Sequence, residues 1–400
     1  MTSADPTLAL HGGPPVRERL LPYGRQAVNE DDIAEVVRVL RGDWLTTGPD
    51  VARFEERLAE TVDVAHAVAV SNGTAALHAM YAAVGIGPGD EVIVPAITFA
   101  ATANAAVYCG ATPVFADVDP GTLLIDPASV RARLSPRTKA IVGVDYAGQP
   151  CDWPALRQIA DEAGVSLFAD GCHALGAQLD GRPVGSLADA TSFSFHPVKH
   201  IAAGEGGAIT TDRPEIDAFM RRFRTHGISR TAAERAAAGT WAYEMVSLGY
   251  NYRLTDIQSA LAASQLARLP GFVARRQALA RRYAEALAGV AGIEPLAIRG
   301  GVEHAWHLYV VRWRVPGQSR RFAFEALRAE GIGVNVHYLP VHLHAFYQER
   351  QGTGRGLCPE AERAYDEMIT LPLFPTMEEG DLDDVVAAVR KVAAAGPQPA

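Results

Sequence analysis

The chain has 400 residues, of which 48% are hydrophobic and 21% charged, and its formal net charge is −9. These values are typical of a globular protein with a large core, and they argue against a disordered chain or a basic nucleic-acid binder. The four cysteines are widely spaced without a C-x-x-C pair, which indicates neither a zinc site nor a disulfide framework and fits a reducing cytoplasm.

Features of metal-binding or membrane proteins are also missing from the sequence. The 12 histidines include no H-E-x-x-H or similar ligand spacing, so we expect no metal. Residues 1–10 lack a basic region followed by an apolar one, and no later stretch holds about eighteen consecutive apolar residues. We therefore expect a soluble, unprocessed cytoplasmic protein with no membrane or nucleic-acid partner.

Residues 31–40 and 51–60 show helical patterns, and short apolar runs then alternate with further helical patterns. The runs are residues 67–70, 91–94, 113–116, 140–144, 166–169, 191–194 and 208–211. Unbroken apolar strands that alternate with helices are typical of a mostly parallel sheet covered by helices on both faces. The sequence therefore predicts an α/β fold with a seven-stranded sheet.

The second part of the chain has a different pattern. Helices dominate after residue 211, including a long amphipathic one over residues 272–288. The predicted elements beyond it are strands at 307–313 and 333–337, a helix at 319–330 and a final helix near 382–393. We predict a large domain over residues 1–270, which includes the N-terminal helical segment, and a small α+β domain over 271–400, which includes the connecting helix.

In open α/β sheets, ligands lie beyond the carboxyl ends of the strands. The run 67–70 is followed by SNGTAAL (71–77), whose small residues open a helix. Free amides, the helix dipole and the close approach allowed by Gly73 suit a phosphate near Gly73 and Thr74. The alternative is a simple helix cap by Ser71 or Thr74, without any ligand.

Two further strand ends carry candidate site residues. Phe99 follows the run 91–94, where its ring could stack on a flat cofactor or belong to the core. Asp170 follows the run 166–169, and a buried carboxylate there needs a charge partner or several hydrogen bonds. The alternative for Asp170 is a cap of the next helix.

Lys199 lies just beyond the run 191–194, and the glycine-rich segment AGEGG (203–207) follows it. A single lysine is usually a solvated surface charge. Here its neighbours are small or apolar, and desolvation lowers the pKa of an amine, as a Schiff-base lysine requires.

These parts together predict a pyridoxal 5'-phosphate (PLP) enzyme. A lysine would form the Schiff base, an aspartate would hold the pyridinium nitrogen, a glycine-led helix start would hold the phosphate, and an aromatic ring would cover the cofactor. The glycine-rich segments match neither G-x-x-x-x-G-K-[ST] nor G-x-G-x-x-G after a first strand. Nucleotide hydrolysis and a Rossmann dehydrogenase are therefore disfavoured.

Over essentially its whole length the sequence resembles the DegT/DnrJ/EryC1/StrS aminotransferases of fold type I. The motifs that carry this resemblance are WLTTG (44–48), SNGTAAL (71–77), residues 95–104, DGCH (170–173), SFHPVK (194–199), EGG (205–207) and GYNYRL (249–254). The resemblance implies a sugar-nucleotide transaminase that uses PLP and L-glutamate. It also implies a homodimer with shared active sites.

Within the family the sequence is most similar to members that act in pseudaminic acid biosynthesis. The segments that suggest this are PYGRQ (22–26), VDYAG (144–148), HALG (173–176) and VHYLP (336–340). The acceptor implied by this similarity is the C4 keto group of a UDP-linked 4-keto-6-deoxy-N-acetyl-hexosamine. Alternatives within the class are dTDP- or GDP-linked keto sugars and keto-cyclitols.

The resemblance assigns roles residue by residue. Lys199 becomes the aldimine lysine, Asp170 the pyridinium partner and Ser194 a phosphate ligand. Phe99 would stack on the ring, and His173 would lie beside the cofactor's 3-hydroxyl. The residues implied on the substrate side are Tyr23, Asp43, Trp44, Leu45, Thr46, His337 and Tyr338, with Asn251 reaching phosphate or substrate from the second subunit. Gly171 and Cys172 depart from the family pattern, in which two alanines are common.

Two other hypotheses remain from different classes. A dehydratase relative would use the same cofactor, but such members lack the aldimine lysine, so Lys199 argues against it. A non-catalytic PLP-binding regulatory protein would usually carry a DNA-binding module, for which residues 1–30 are too short and too rich in proline and glycine.

Overall fold

The fold is that of a computed structural model, which describes residues 7–230 and 232–396. The outer limits of the two predicted domains, residues 1 and 400, lie outside the described residues. In the described ranges, no helix is both long and apolar enough to cross a membrane.

The strands are short, as the apolar runs predict. They are β1 His66–Val70, β2 Glu91–Pro95, β3 Thr112–Ala116, β4 Thr138–Val144, β5 Ser166–Asp170, β6 Gln178–Leu179, β7 Arg182–Pro183, β8 Ala190–Ser194, β9 Gly207–Thr211, β10 Ile293–Pro295, β11 Val302–Glu303, β12 Tyr309–Trp313 and β13 Met368–Leu371. The main sheet has seven strands in the order β1-β9-β8-β5-β4-β2-β3, and only β9 runs antiparallel to its neighbours. The predicted fold class, α/β with a mostly parallel seven-stranded sheet, is confirmed.

Helices follow most strands of the main sheet. They are α1 Glu30–Leu40, α2 Pro49–Thr61, α3 Gly73–Ala83, α4 Ala100–Tyr108, α5 Pro127–Arg133, α6 Trp153–Ala163, α7 Pro214–Phe223, α8 Ala232–Ala237, α9 Asp256–Ala267, α10 Leu269–Leu287, α11 Arg320–Ala329, α12 Ala345–Gln351, α13 Pro359–Glu367 and α14 Glu379–Ala393. The central strands are buried along nearly their whole length because helices cover both faces of the sheet. Hydrophobic packing on both faces therefore holds the strand ends in fixed positions.

A second hydrophobic core surrounds the three-stranded sheet β10-β12-β13. Helices α10, α11 and α14 contribute buried side chains to it, and Leu8 and Leu21 join it from the N-terminal segment. The N-terminal segment thus packs on the later part of the chain. The limit between the two domains near residue 270 stays a prediction.

The predicted strand at residues 333–337 is wrong. The region makes only isolated bridges, between Leu21 and Ile332 and between Asn335 and Thr370. Its apolar character comes from packing against the N-terminal segment instead, so closely that a Cβ on Gly333 would lie 2.5 Å from the Leu21 carbonyl oxygen. A pattern of alternating apolar residues cannot distinguish these two kinds of burial.

Candidate active site

Several of the predicted site residues converge at one edge of the main sheet. Asp170 is the last residue of β5 and Ser194 is the last residue of β8, and these two parallel strands are neighbours. Phe99 lies beyond β2 and directly precedes α4. The parallel topology therefore brings side chains that are far apart in the sequence to the same end of the sheet.

The Asp170 carboxylate is buried, with 5% of the residue exposed, and both its oxygens accept hydrogen bonds. Oδ2 accepts from the Thr102 hydroxyl at 2.7 Å, and Oδ1 accepts from the Cys172 amide at 3.2 Å. Residues 172–176 form turns and no helix follows Asp170 directly, so the alternative of a cap on the next helix is wrong. Each oxygen retains a lone pair for a further donor, such as a protonated ring nitrogen.

Lys199 differs from the other lysines of the chain. The sequence contains three, Lys139, Lys199 and Lys391. Lys139 is exposed, and Lys391 bonds the Glu330 carboxylate. Lys199 is half-buried, and its ammonium has neither a hydrogen bond nor an ion pair within residues 7–230 and 232–396. The small number of lysines was a signal in the sequence that pattern reasoning overlooked.

Burial lowers the pKa of the Lys199 amine below its ordinary value, although the nearby Cys172 and Asp170 oppose this shift. The direction favours the neutral, nucleophilic form of the amine. An unpaired, partly desolvated amine is what attack on an aldehyde requires.

A close-packed cradle lies at the start of α3. The helix is capped by Asn72, whose side chain accepts from the Ala75 amide at 2.8 Å, and not by Ser71 or Thr74. A Cβ on Gly73 would lie 2.9 Å from the Ser194 Cβ. The first amides of a helix have no partner within the helix. The cradle therefore places free amide donors next to the Ser194 side chain, a combination that suits a phosphate.

Buried His173 and half-buried Tyr338 form a pair across the site. The His173 Nε2 lies 3.0 Å from the Tyr338 hydroxyl, and its Nδ1 accepts from the Ala147 amide at 3.4 Å. Because Nδ1 accepts, the ring proton is assigned to Nε2, which donates to Tyr338. Burial, followed by repulsion from Lys199, lowers the pKa of His173 well below its ordinary value, so the ring is neutral.

Sequence reasoning missed the imidazole rings behind His173. The His307 ring centroid lies 4.3 Å from that of His173, and the His200 ring lies 5.6 Å from that of His307. Burial lowers the pKa of both His200 and His307. These neutral rings form the back wall of the site.

The aromatic residues of the site differ in exposure. Phe99 is 59% exposed, with its ring 6.0 Å from that of Tyr338, so its assignment to the core is wrong. The Tyr23 ring lies 5.2 Å from that of His337, whose Nδ1 pairs with the Thr370 hydroxyl at 2.9 Å. Burial lowers the pKa of His337 to about 3. The exposed Phe99 face is therefore open to a ligand, whereas the Tyr23–His337 pair is largely buried.

Two predicted substrate segments lie on other elements. Residues 43–46 are exposed, and Thr46 forms a bridge with Thr255 just before α9. Asn251 is also exposed and forms a bridge with Thr225. In the described part of the chain, no hydrogen bond or ring contact joins either segment to Lys199 or Asp170. A role for them requires a ligand or a second subunit that spans the gap.

The arrangement fits pyridoxal phosphate at three of its groups. The Gly73 cradle suits the phosphate, Asp170 suits the ring nitrogen, and unpaired Lys199 suits the aldehyde. Across the described ranges, no group of three or more His, Cys, Asp or Glu side chains could hold a metal ion. This combination of fold and side chains defines the class: a transferase of fold type I that uses PLP.

Comparison with known proteins extends this assignment. The model of the DegT/DnrJ/EryC1/StrS aminotransferase family matches residues 26–390. Spore coat polysaccharide biosynthesis protein SpsC of Bacillus subtilis is 42% identical over 380 residues, which is 94% of this chain and 98% of that protein. The chain therefore belongs to the DegT/DnrJ/EryC1/StrS aminotransferase family, and it is a PLP-dependent sugar aminotransferase.

Solved structures agree with this. PseC of Helicobacter pylori, an aminotransferase involved in the biosynthesis of pseudoaminic acid, matches with a TM-score of 0.87 at 31% identity, covering 94% of this chain and 99% of PseC. DesI, solved in the presence of its TDP-sugar product, matches with a TM-score of 0.87 at 34% identity, covering 97% of this chain and 96% of DesI. Both relatives share nearly the full length of the chain.

Proposed function

We propose that the enzyme moves an amino group from L-glutamate to the C4 keto group of a UDP-linked 4-keto-6-deoxy-N-acetyl-hexosamine. The observation that supports amino transfer is the half-buried Lys199, which has no ion pair in the described ranges and lies near Asp170. Two hydrogen bonds hold the Asp170 carboxylate in place. The whole-length similarity to sugar aminotransferases supports a sugar acceptor. The particular acceptor rests on the segments shared with pseudaminic acid enzymes.

In this proposal Lys199 holds the cofactor covalently, and Asp170 keeps the proton on its ring nitrogen. Gly73, Thr74 and Ser194 bind the phosphate, and Phe99 covers the ring. When bound, PLP supplies an electron-accepting ring that stabilises the negative charge at an amino acid Cα after deprotonation. The buried carboxylate of Asp170 maintains that capacity because it cannot turn away from its two donors.

Lys199 would have a second role as an acid–base group. Its amine would take the proton from Cα of the amino acid as a base and deliver it to the C4′ carbon of the cofactor as an acid. A lowered pKa supports this role because the amine is neutral at a lower pH. The acceptor sugar then undergoes the same proton movement in reverse, after 2-oxoglutarate has left, so that the two half-reactions alternate.

His173 would lie beside the 3-hydroxyl side of the cofactor ring and position it by packing, because both of its ring nitrogens already bond Ala147 and Tyr338. Its link to Tyr338 at 3.0 Å joins this contact to the wall that carries His337 and Tyr23. Tyr23, His337 and Tyr338 bind the sugar, and residues 43–46 and Asn251 complete the nucleotide side. The exposed face of Phe99 lies between these two groups of residues.

The test is product analysis by mass spectrometry with a panel of keto-sugar nucleotides and L-glutamate. Amination of the UDP-linked 4-keto-6-deoxy-N-acetyl-hexosamine, with formation of 2-oxoglutarate, is the expected result. Failure of every UDP-linked N-acetyl substrate would eliminate the proposed acceptor. The visible absorption band of the bound cofactor, recorded with and without L-glutamate, separates an enzyme from a regulatory PLP binder, because only amino transfer bleaches it.

A second candidate is the same chemistry on a TDP-linked keto sugar. The similarity to DesI, solved with its TDP-sugar product, favours it at an identity slightly above that of PseC. TDP- and GDP-linked 4-keto and 3-keto sugars and a keto-cyclitol therefore belong in the panel. Turnover of a TDP-sugar without turnover of any UDP-sugar would establish this candidate instead.

The proposal also includes a homodimer with shared sites. Residues 240–248, which we call the arm, expose five large apolar side chains: Trp241 at 89%, Tyr243 at 57%, Met245 at 68%, Val246 at 57% and Leu248 at 73%. Aromatic and methionine side chains are enriched at protein interfaces. The arm leads into Asn251, which would bring that residue to the partner's site. Sedimentation equilibrium tests the dimer.

A further inference from the structure

The Asp170 carboxylate is held by more than its own strand. Its Oδ2 accepts from the Thr102 hydroxyl at 2.7 Å, and the Thr102 oxygen lies 2.7 Å from the Thr98 hydroxyl. Thr98 and Thr102 are 1% and 0% exposed. Because a carboxylate only accepts, Thr102 donates to Asp170, and Thr98 must then donate to Thr102. The three groups form a directed chain of hydrogen bonds.

Hydrogen bonds to the backbone of Thr102 also hold this residue in place. The Thr102 amide donates to the Phe99 carbonyl at 3.2 Å, and the Thr102 carbonyl accepts from the buried Tyr81 hydroxyl at 2.9 Å. A threonine within a helix often bonds a carbonyl of the preceding turn. Thr102 bonds the carboxylate of another strand instead, so the first turn of α4 is anchored to Asp170.

We propose that Thr102, supported by Thr98, is a positioning residue that orients the Asp170 carboxylate toward the ring nitrogen of PLP. This inference rests on the proposed role of Asp170. The Cys172 amide holds the other oxygen, so the two donors together fix the plane of the carboxylate. A hydroxyl that donates to a charged acceptor contributes more than a neutral hydrogen bond, and a chain of donors strengthens it further.

The same turn of helix serves both sides of the cofactor. Phe99 directly precedes α4 and presents its exposed ring, while Thr102 lies one turn later and supports the carboxylate. Any movement of this turn would therefore change the stacking surface and the ring-nitrogen contact together.

The experiment compares Thr102→Val, Thr102→Ser, Thr98→Val and Asp170→Asn. Thr191→Val is the matched control, because Thr191 is a buried threonine on the neighbouring strand whose hydroxyl has no hydrogen-bond partner in the described part of the chain. The readouts are the dissociation constant of PLP from the apoprotein, the visible band of the bound cofactor, and kcat and KM for L-glutamate in the first half-reaction.

Thr102→Val is expected to weaken PLP binding about tenfold, the loss that corresponds to a hydrogen bond to a charged group. Its visible band should shift in the same direction as that of Asp170→Asn, and kcat should fall more than KM changes. Thr102→Ser should restore both properties. Thr98→Val should give a smaller loss, on the order of threefold, because it removes a bond between neutral groups.

A Thr102→Val protein whose band and PLP affinity match those of Thr191→Val would overturn the inference, even if its melting temperature were lower. If Thr102→Val apoprotein does not fold, Thr98→Val decides: weaker PLP binding supports the chain, and wild-type binding contradicts it. Asp170→Asn tests the proposed role of Asp170 separately from that of Thr102. An unchanged band there removes the proposed role of Asp170, whereas a changed band with normal Thr102→Val removes only the role of Thr102.

Discussion

The sheet edge around Asp170 and the arm at residues 240–248 represent opposite kinds of surface. At the sheet edge, polar side chains are buried and fixed by short hydrogen bonds. In the arm, apolar side chains are exposed, up to 89% for Trp241. Burial of polar groups is stable only when they are bonded, and large apolar surface is stable in water only when something covers it.

This difference indicates that a single chain forms the cofactor half of the proposed site but not the whole substrate half. The cofactor half lies on strand ends and the first turns of helices, which hydrophobic packing on both faces of the main sheet holds in place. The half that would contain Asn251 depends on a segment whose apolar residues are exposed in the single chain. We infer that one chain is organised to bind PLP and that the substrate half is completed by assembly.

The largest expected effect comes from the cofactor half. Lys199→Ala should lower the rate of amino transfer by at least about 10³-fold, because positioned acid–base catalysis alone contributes about 10²- to 10⁴-fold. The measurement is the single-turnover bleaching of the cofactor band by L-glutamate. Lys139→Ala, which changes an exposed lysine, is the control and should behave as wild type. Near-normal turnover by Lys199→Ala would remove the central assignment.

The next effect concerns the arm. The double variant Trp241→Ser/Leu248→Ser should weaken dimerisation by about 30-fold or more, the loss typical of removing interface anchors. Sedimentation equilibrium measures it, and the melting temperature of the monomer should stay the same because both side chains are exposed. Ile298→Ser replaces an apolar side chain that is 49% exposed elsewhere and serves as control. A dimer as tight as wild type would show that the arm is not the interface.

A smaller effect is expected at the phosphate cradle. Gly73→Ala places a Cβ 2.9 Å from the Ser194 Cβ, so the start of α3 must shift. Overpacking of this kind costs about 1 to 3 kcal/mol, and we expect PLP binding to weaken about tenfold. Titration of the apoprotein with PLP measures this. Gly354→Ala, where a Cβ would meet nothing within 4 Å, is the control, and equal affinities for the two variants would contradict the cradle.

The smallest effect on activity is expected at Asp145, behind the site. Burial, reinforced by Asp170, raises the pKa of Asp145 from 3.8 to about 8, and its Oδ2 has no hydrogen-bond partner in the described ranges. Between these pH values the folded chain keeps the proton and the unfolded chain has lost it. Unfolding then releases a proton, and stability falls as pH rises, by up to about 1.4 kcal/mol per pH unit.

Asp145→Asn removes this pH dependence. The variant should therefore gain stability relative to wild type toward pH 8 and lose that gain toward pH 4, with little change in amino transfer. Urea unfolding of the apoprotein across this window measures it. The exposed Asp63→Asn is the control, and a stability difference that does not depend on pH would show that the folded Asp145 is ionised.

Much of the fold and part of the site could be predicted from the sequence because they depend on the local pattern of residues. Parallel buried strands are continuous apolar runs, so all seven strands of the main sheet were predicted to within a few residues. The residues that directly follow those runs were candidates for the site because of where strands end in such sheets. Gly73, Asp170 and Lys199 follow from this rule without any knowledge of their contacts, whereas Ser194 was implied by the family resemblance.

Only the tertiary structure decided the contacts between distant segments. Thr102 meets Asp170 across 68 positions, and Tyr338 meets His173 across 165. The exposure of Phe99 and the missing strand at residues 333–337 are of the same kind. The local pattern of apolar residues predicts where a strand lies and where it ends. It does not specify which distant side chain will bond a given residue, because that contact depends on how the whole core packs.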